Sequence, residues 1–373
     1  MYEKPAILQF GTSRFLLAHA DFFVSEGLSR NEAIGTIAVV QTTSNPQSAR
    51  RIAALNEGMG YPVIIRGLID GRPTEIEHRA QGVSAAYSAQ DDWPAILELG
   101  ATVEVILSNT GDKGYELDAG DDSSLLAHPD ALPKSFPAKL LVLLHHRWKK
   151  NPEMPLSIFP CELVSRNGDM LRSILTGLPR DWKLSDNFIQ WLESVCIFAN
   201  SLVDRIVSEP IEPVGAVAEP YALWAIENAE GLTLPCTHPD IVLTNDLARY
   251  ERLKLHLLNL GHSFIAEQWL KGNRPKDETV LEAMQDEAIR TRLEAVWREE
   301  VLPVFAADGL GLEAEAYVVS VRERFLNPFL KHRIADIASN HEEKKLRRFA
   351  PIIARATELD LDLQQRQLNA AIG

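Results

Sequence analysis

The chain has 373 residues, 46% hydrophobic and 24% charged, with a formal net charge of −14 at pH 7. That length allows two ordinary domains, and the acidic balance argues against a nucleic-acid partner, which needs clustered lysine and arginine, while leaving room for a local basic pocket. No apolar run approaches the roughly 20 residues of a spanning helix, and the apolar stretch near the N-terminus is too short for a signal-peptide core. Three separated cysteines, Cys161, Cys196 and Cys236, form neither a disulfide framework nor a metal knuckle. A cytoplasmic protein with no membrane association and no metal site is expected.

The first 110 residues alternate between strand and helix patterns. AILQF reads as a strand that enters Gly11, and SRFLLAHADFFVSEGL as a helix closed by Gly27. IGTIAVVQT, YPVIIRGL and VEVILSNT read as further strands, with helices over SARRIAALNEG and DDWPAILELG and a hairpin around Gly71. Continuously apolar strands alternating with helices predict a parallel sheet covered on both faces. An acidic connection over residues 120–136 leads to the helix AKLLVLLHHRW, the strand LSIFPCELV, a helix beginning at Asn167 and a strand in EPYALWAIE. Beyond residue 244 every long segment shows helical spacing. The expected architecture is α/β: a Rossmann-type parallel sheet domain over 1–242, followed by a mostly α-helical domain over 243–373.

Gly11 opens a strand–turn–helix, the layout that presents helix N–H groups to a pyrophosphate. The dinucleotide fingerprint G-x-G-x-x-G is incomplete, because Ser13 and Leu16 stand where its second and third glycines belong. Arg14 offers a charge-assisted bond to phosphate. The tip of the second strand, Gln41-Thr42-Thr43, lacks the acid that binds the ribose of NAD, while Asn109 and Thr110 end the fourth strand, where ligands of such sheets lie. A strand–glycine–helix turn is common to α/β proteins, so these residues alone do not assign a nucleotide.

The segment YERLKLHLLNLGHSF (250–264) sets Lys254, Asn259 and His262 among leucines that surround most of a helix. At α-helical pitch the three lie near about 0°, 140° and 80°, one polar sector of a helix expected to be buried. A lysine desolvated there can accept a proton, an asparagine amide can support an alkoxide, and a histidine can orient a hydroxyl. Gly261 suggests close approach of a ligand or backbone. Tyr250-x-x-x-Lys254 also fits the Tyr/Lys pair of short-chain dehydrogenases, although it falls too late in the chain and lacks their glycine-rich turn.

The spacing Lys254-x4-Asn259-x2-His262 resembles the signature of the polyol-specific long-chain dehydrogenases. FGTSRFLLAH, with Phe15 and His19, and the segments SNTGDKGY, PCELVSRNGDML, NSLVDRI and RERFLNPFLKH are similar to the tagaturonate reductase branch of that family. The resemblance implies metal-independent alcohol–ketone chemistry with Lys254 as general acid/base, Asn259 at the oxyanion and His262 positioning the substrate. It further implies a cofactor site of Gly11, Thr12, Ser13, Arg14, Phe15, Gln41, Asn109, Thr110 and Asp112, with NAD(H) favoured over NADP(H). The implied partner is a small sugar acid or polyol, met by Asn200, Asp204, Arg324 and His332, with Arg324 as a carboxylate clamp beside Lys331 or His332.

Departures from the family pattern are Glu162-Leu163, where the mannitol enzymes have Asp-Asn, and a chain shortened mostly after residue 265. A second oxyanion asparagine is therefore missing or supplied by Asn167 or Asn200. Asp204 and Arg205 allow either a structural ion pair or substrate contact. The alternatives are a hexitol dehydrogenase of the mannitol type and a non-catalytic nucleotide-binding regulator.

Overall fold

A computed structural model describes residues 4–43, 46–111, 114–128 and 130–373. The chain divides into two compact units, residues 1–65 with 76–247 and residues 66–75 with 248–373. Among the described residues no helix is long and apolar enough to cross a membrane.

The first unit is built on a parallel sheet of six strands. These are β1 (Ile7–Phe10), β2 (Ile37–Gln41), β5 (Val83–Ser88), β6 (Val105–Ser108), β7 (Leu156–Pro160) and β8 (Cys196–Phe198), in the order β5-β2-β1-β6-β7-β8. The strands β1, β2, β6 and β7 are buried at every position, as strands covered on both faces must be. One layer of the core joins Leu8, Phe10, Val40 and Ile106 to Trp93, Leu140 and Leu144, and the other joins Ile7, Val39, Val105 and Leu107 to Leu17, Phe23 and Trp224. The order reverses between β1 and β6, so the carboxyl ends of those two strands flank the crevice where such sheets take ligands.

Three local expectations change. The strand YPVIIRGL is β3 (Tyr61–Ile69), but it lies outside the parallel sheet, in a four-stranded sheet of order β10-β11-β3-β4, where β4 is Arg72–Ala80, β10 Val207–Pro210 and β11 Ala216–Ala218. Its burial alternates residue by residue, the mark of a strand with only one covered face. The place expected for it is taken by β5, whose sequence VSAAYS is too small and polar to stand out. The expected single helix after Gly11 is two, α1 (Arg14–Leu17) and α2 (Ala20–Ser29), broken at His19 (φ −127°, ψ −92°). The His19 ring stacks on Phe15 at 4.8 Å and tilts over Phe23 at 4.6 Å. Asn167 is also no cap. It is the first residue of the helix Asn167–Asp181, and its amide nitrogen donates to the carbonyls of Pro160, Glu162 and Ser201 at 3.0, 3.1 and 2.9 Å.

The second unit is helical apart from residues 66–75, the far end of the β3–β4 hairpin. That hairpin end is held by Glu323, which accepts from the Gly71 N–H at 2.7 Å, and by Phe329, whose ring lies 5.5 Å from the Arg66 guanidinium.

Asp21 on α2 is fully buried beneath the first turn. It accepts from Gln9 Nε2 at 3.2 Å and from the Tyr61 hydroxyl at 3.4 Å. Burial raises its pKa from 3.8 to about 7, against the pull of those two donors. The folded state therefore holds a proton that the unfolded chain releases near pH 4, and stability falls as pH rises through that window and is lowest above 7. Asp21→Asn, which cannot ionise, should gain on the wild type by roughly 3 kcal/mol between pH 5 and pH 8. Urea midpoints at the two pH values measure this, and an equal difference at both would contradict it.

Candidate active site

The first unit gathers the predicted cofactor residues at the reversal of strand order. Gly11 has φ +109°, and a Cβ there would lie 2.7 Å from the carbonyl oxygen of Asn109. Only glycine lets the turn after β1 pass so close to the end of β6. Ser13 caps α1, accepting from the Leu16 N–H at 3.3 Å, and its hydroxyl donates to Asn109 Oδ1 at 3.4 Å. The Thr12 hydroxyl is bonded to the Gln41 side-chain oxygen, which ties the turn to the tip of β2. Arg14 is exposed and Phe15 half-buried on His19. Asp112 lies outside the described residues.

Two groups here were not assigned a role from sequence. Glu162, just after β7, is buried and takes four donors. Its carboxylate accepts from Ser108 Oγ at 3.1 Å, from the Thr110 N–H and hydroxyl at 3.0 Å each, and from the Tyr115 hydroxyl at 3.4 Å. Burial raises its pKa, while the Ser108 and Thr110 bonds oppose the rise. Asn109 completes the junction by donating to the Cys161 carbonyl at 2.7 Å. The second group is Arg51, which reaches back from its helix (Pro46–Asn56) to donate to the Thr12 carbonyl at 3.1 Å. A basic residue in the first turns after β2 was the signal for it.

Asn200 and Asp204 are buried in the same unit. Asn200 donates to Glu227 Oε2 at 2.7 Å and accepts from the Asp169 N–H at 3.0 Å. Arg205 donates to the backbone carbonyls of Glu219 and Ala18 at 3.0 and 2.7 Å, and burial lowers its pKa to about 10.

In the second unit, Lys254–Asn259 is a π-helical segment that runs into the α-helix Leu260–Lys271. Bonds from i to i+5 reduce the turn per residue, so Asn259 swings back toward the side of Lys254 relative to the α-helical expectation. Side chains from neighbouring helices reach carbonyls of this stretch. Trp297 Nε1 donates to the Leu257 carbonyl at 3.2 Å, and Arg348 donates to the Asn259 carbonyl at 3.1 Å and to Ser263 Oγ at 2.7 Å. Lys254, expected to be buried, is half-buried, as are Leu255 and Asn259, whereas His256, Leu257 and Leu258 are buried. Leu253, Leu257 and Leu258 are buried around it, yet Lys254 itself does not have the full burial expected of it. Gly261 makes way for aromatic rings and not for a ligand: a Cβ there would sit 2.8 Å from Trp297 and 3.0 Å from Phe325.

His262 packs on the Phe325 ring at 4.4 Å and edge-on to His332 at 4.9 Å. Arg324 is buried and donates to the Tyr317 hydroxyl at 3.4 Å. Burial lowers the His332 pKa; Asp336 opposes the shift and the charge of Arg324 adds to it. His262 thus shares one neighbourhood with Arg324 and His332, which lie about sixty to seventy residues further along the chain, and burial there disfavours the charged form of His332.

Comparison with known proteins agrees with this layout. The family description "Mannitol dehydrogenase Rossmann domain" matches residues 5–235, and "Mannitol dehydrogenase C-terminal domain" matches 246–373. The chain belongs to the mannitol dehydrogenase family. Its relatives include altronate oxidoreductases of Halalkalibacterium halodurans (31% identical over 92% of this chain and 69% of that one) and Bacillus subtilis (30% over 96% and 77%). Another, from Klebsiella pneumoniae, is 31% identical over 92% of this chain and 74% of its own length. Among solved structures the fold matches a D-sorbitol dehydrogenase in substrate-free form, with a TM-score of 0.84 and 20% identity over 99% of this chain and 80% of that one. It also matches the Pseudomonas fluorescens mannitol 2-dehydrogenase ternary complex with NAD and D-mannitol, with a TM-score of 0.72 and 18% identity over 99% and 78%.

If the Gly11 turn carries the nucleotide, Gly11→Ala should weaken NADH binding at least about tenfold, because the turn must open to clear Asn109. A fluorescence titration of NADH measures this, with circular dichroism as the folding control. Unchanged affinity in a folded variant would remove this turn from the site.

Proposed function

We propose that this chain is a metal-independent, NAD(H)-dependent oxidoreductase that interconverts a secondary alcohol and a ketone on an open-chain sugar acid of the altronate/tagaturonate type. The observation that carries the choice of substrate is the neighbourhood of Arg324, His332 and His262: a buried guanidinium suits a carboxylate better than it suits a neutral hexitol. The name shared by the 30–31% identical relatives points the same way.

The Gly11 turn and the ends of β2 and β6 fit a dinucleotide. Its pyrophosphate would lie at Thr12, Ser13 and Arg14, its adenosine ribose at Gln41, and its remaining half toward Asn109 and Thr110. Bound there, the nucleotide supplies the hydride donor or acceptor. The protein's part is to manage a proton and a developing charge. In the oxidative direction Lys254 Nζ takes the proton of the substrate hydroxyl, and it returns that proton to the oxygen in reduction. The Asn259 amide donates to the same oxygen as negative charge gathers on it. His262, set by Phe325 and His332, orients the carbinol. Arg324 fixes the far carboxylate, with His332 beside it.

Lys254→Ala should lower turnover at least about 10²-fold, the low end for general acid–base catalysis, and leave NADH affinity within about twofold. Arg324→Leu should raise KM for a keto-uronate by roughly 10²-fold, the loss of a charge-assisted pair of about 3 kcal/mol, and leave slow turnover of neutral ketoses unchanged. Initial rates over a panel of keto-uronates, ketoses and their alcohols, with and without EDTA, test the proposal. It fails if fructose or mannitol outruns every sugar acid, if chelation abolishes activity, or if Tyr250→Phe is the inactive variant and Lys254→Ala is active.

A further inference from the structure

The end of β2 holds an arrangement that the proposed reaction does not use. Gln41, buried at this tip, donates to Thr43 Oγ1 at 2.7 Å and bonds the Thr12 hydroxyl through its side-chain oxygen. Arg51, half-buried, turns back to the same place and donates through one Nη to the Thr12 carbonyl at 3.1 Å and the Thr12 hydroxyl at 3.4 Å. Among the described residues no carboxylate pairs with Arg51, and none stands at the tip. In a dinucleotide fold this tip faces the adenosine ribose, where an acid binds the 2′-hydroxyl of NAD and repels a 2′-phosphate, whereas an arginine pairs with that phosphate. Here the acid is replaced by a neutral amide, and a guanidinium with a planar fork of donors is held within one residue of the pyrophosphate turn.

We infer that the β2 tip is a 2′-phosphate site, so that the protein takes NADP(H) as well as NAD(H), and that Arg51 is the residue on which this depends. The inference rests on reading the first unit as a nucleotide site. The bond to Thr12 O fixes the guanidinium at the turn with one Nη, leaving Nε and the second Nη as donors for phosphate oxygens. The neutral side chains of Gln41 and Thr43 can donate to a ribose hydroxyl or to a phosphate, so the tip penalises neither nucleotide.

The test uses the full chain, isothermal calorimetry and two small probes, adenosine 5′-monophosphate and adenosine 2′,5′-bisphosphate, so that no turnover is required. The wild type is expected to bind the bisphosphate at least as tightly as the monophosphate, by a margin that shrinks as salt is raised. Arg51→Gln is expected to weaken the bisphosphate at least tenfold and the monophosphate less than threefold. Gln41→Asp, which restores the missing acid, is expected to weaken the bisphosphate alone, and it keeps the test open should the Arg51 variant not fold. A wild type that binds the monophosphate at least tenfold more tightly than the bisphosphate overturns the 2′-phosphate site and leaves the nucleotide reading standing. So does an Arg51→Gln variant that weakens both probes equally, because the arginine then only braces Thr12. Failure of both probes to bind overturns the two readings together.

Discussion

The carboxylate of Glu162 is the constraint on which the first unit's site depends. A buried carboxylate is tolerated only when its oxygens are filled by donors, and here Ser108 at the end of β6 and Thr110 and Tyr115 just beyond it supply them. Removing water from Glu162 therefore fixes Ser108, Thr110 and Tyr115 in space. Asn109, caught between two of these residues, is left with its amide donating to Cys161 and its carbonyl pressed against Gly11. The ends of β1, β6 and β7 are thus joined where the strand order reverses. A missing second glycine in the fingerprint matters less in such a setting, because Ser13 is integrated by its bond to Asn109.

In the second unit a lysine and an asparagine five residues apart, Lys254 and Asn259, bound a π segment. An α-helix would set them about 140° apart; the π segment reduces that separation. Trp297 and Arg348 add side-chain donors to its carbonyls from neighbouring helices. Gly261 belongs to the same device: with no side chain, it lets the Trp297 ring come close enough for its indole to reach Leu257. A second π segment, Val296–Val301, packs in the same unit, so the widening is a feature of how these helices fit together as well as of the stretch that holds Lys254.

What could be read in advance was what periodicity carries. Continuous apolar runs marked β1, β2, β6 and β7, and the 3.6-residue repeat marked the helical unit, because burial on two faces or on one stripe writes itself into residue order. The β5 strand could not be read, being short, alanine-rich and only partly covered. The sheet to which β3 belongs depends on a pairing with β11, some 150 residues further on, that no local pattern encodes. Within the candidate site, Lys254, Asn259 and His262 were singled out by residue type and spacing and Arg324 only through the family resemblance, whereas the π winding could not be read, because it changes hydrogen bonding without changing composition. Arg51 was passed over for a related reason: along the chain it sits ten residues from Gln41, and only the return of its side chain to Thr12 shows where its charge acts.

The charge of the whole protein and the charge of its candidate sites run in opposite directions. A net −14 repels a dinucleotide and a sugar acid at long range, yet at physiological ionic strength that repulsion is screened beyond about 8 Å. Inside that distance the nearest charges decide. They are Arg14 and Arg51 at the first turn and Arg324 in the second unit. Guanidinium is the suitable group in each place, since it stays charged when partly desolvated and presents donors in a plane that matches carboxylate and phosphate oxygens. An acidic surface with a few placed arginines favours anions that can meet two or more donors at once over anions in general. A protein made basic throughout would bind both ligands more tightly and distinguish them from nucleic acid and other polyanions less well. The acidic excess and the placed arginines are thus compatible, because the excess is screened at a distance while each arginine acts at short range.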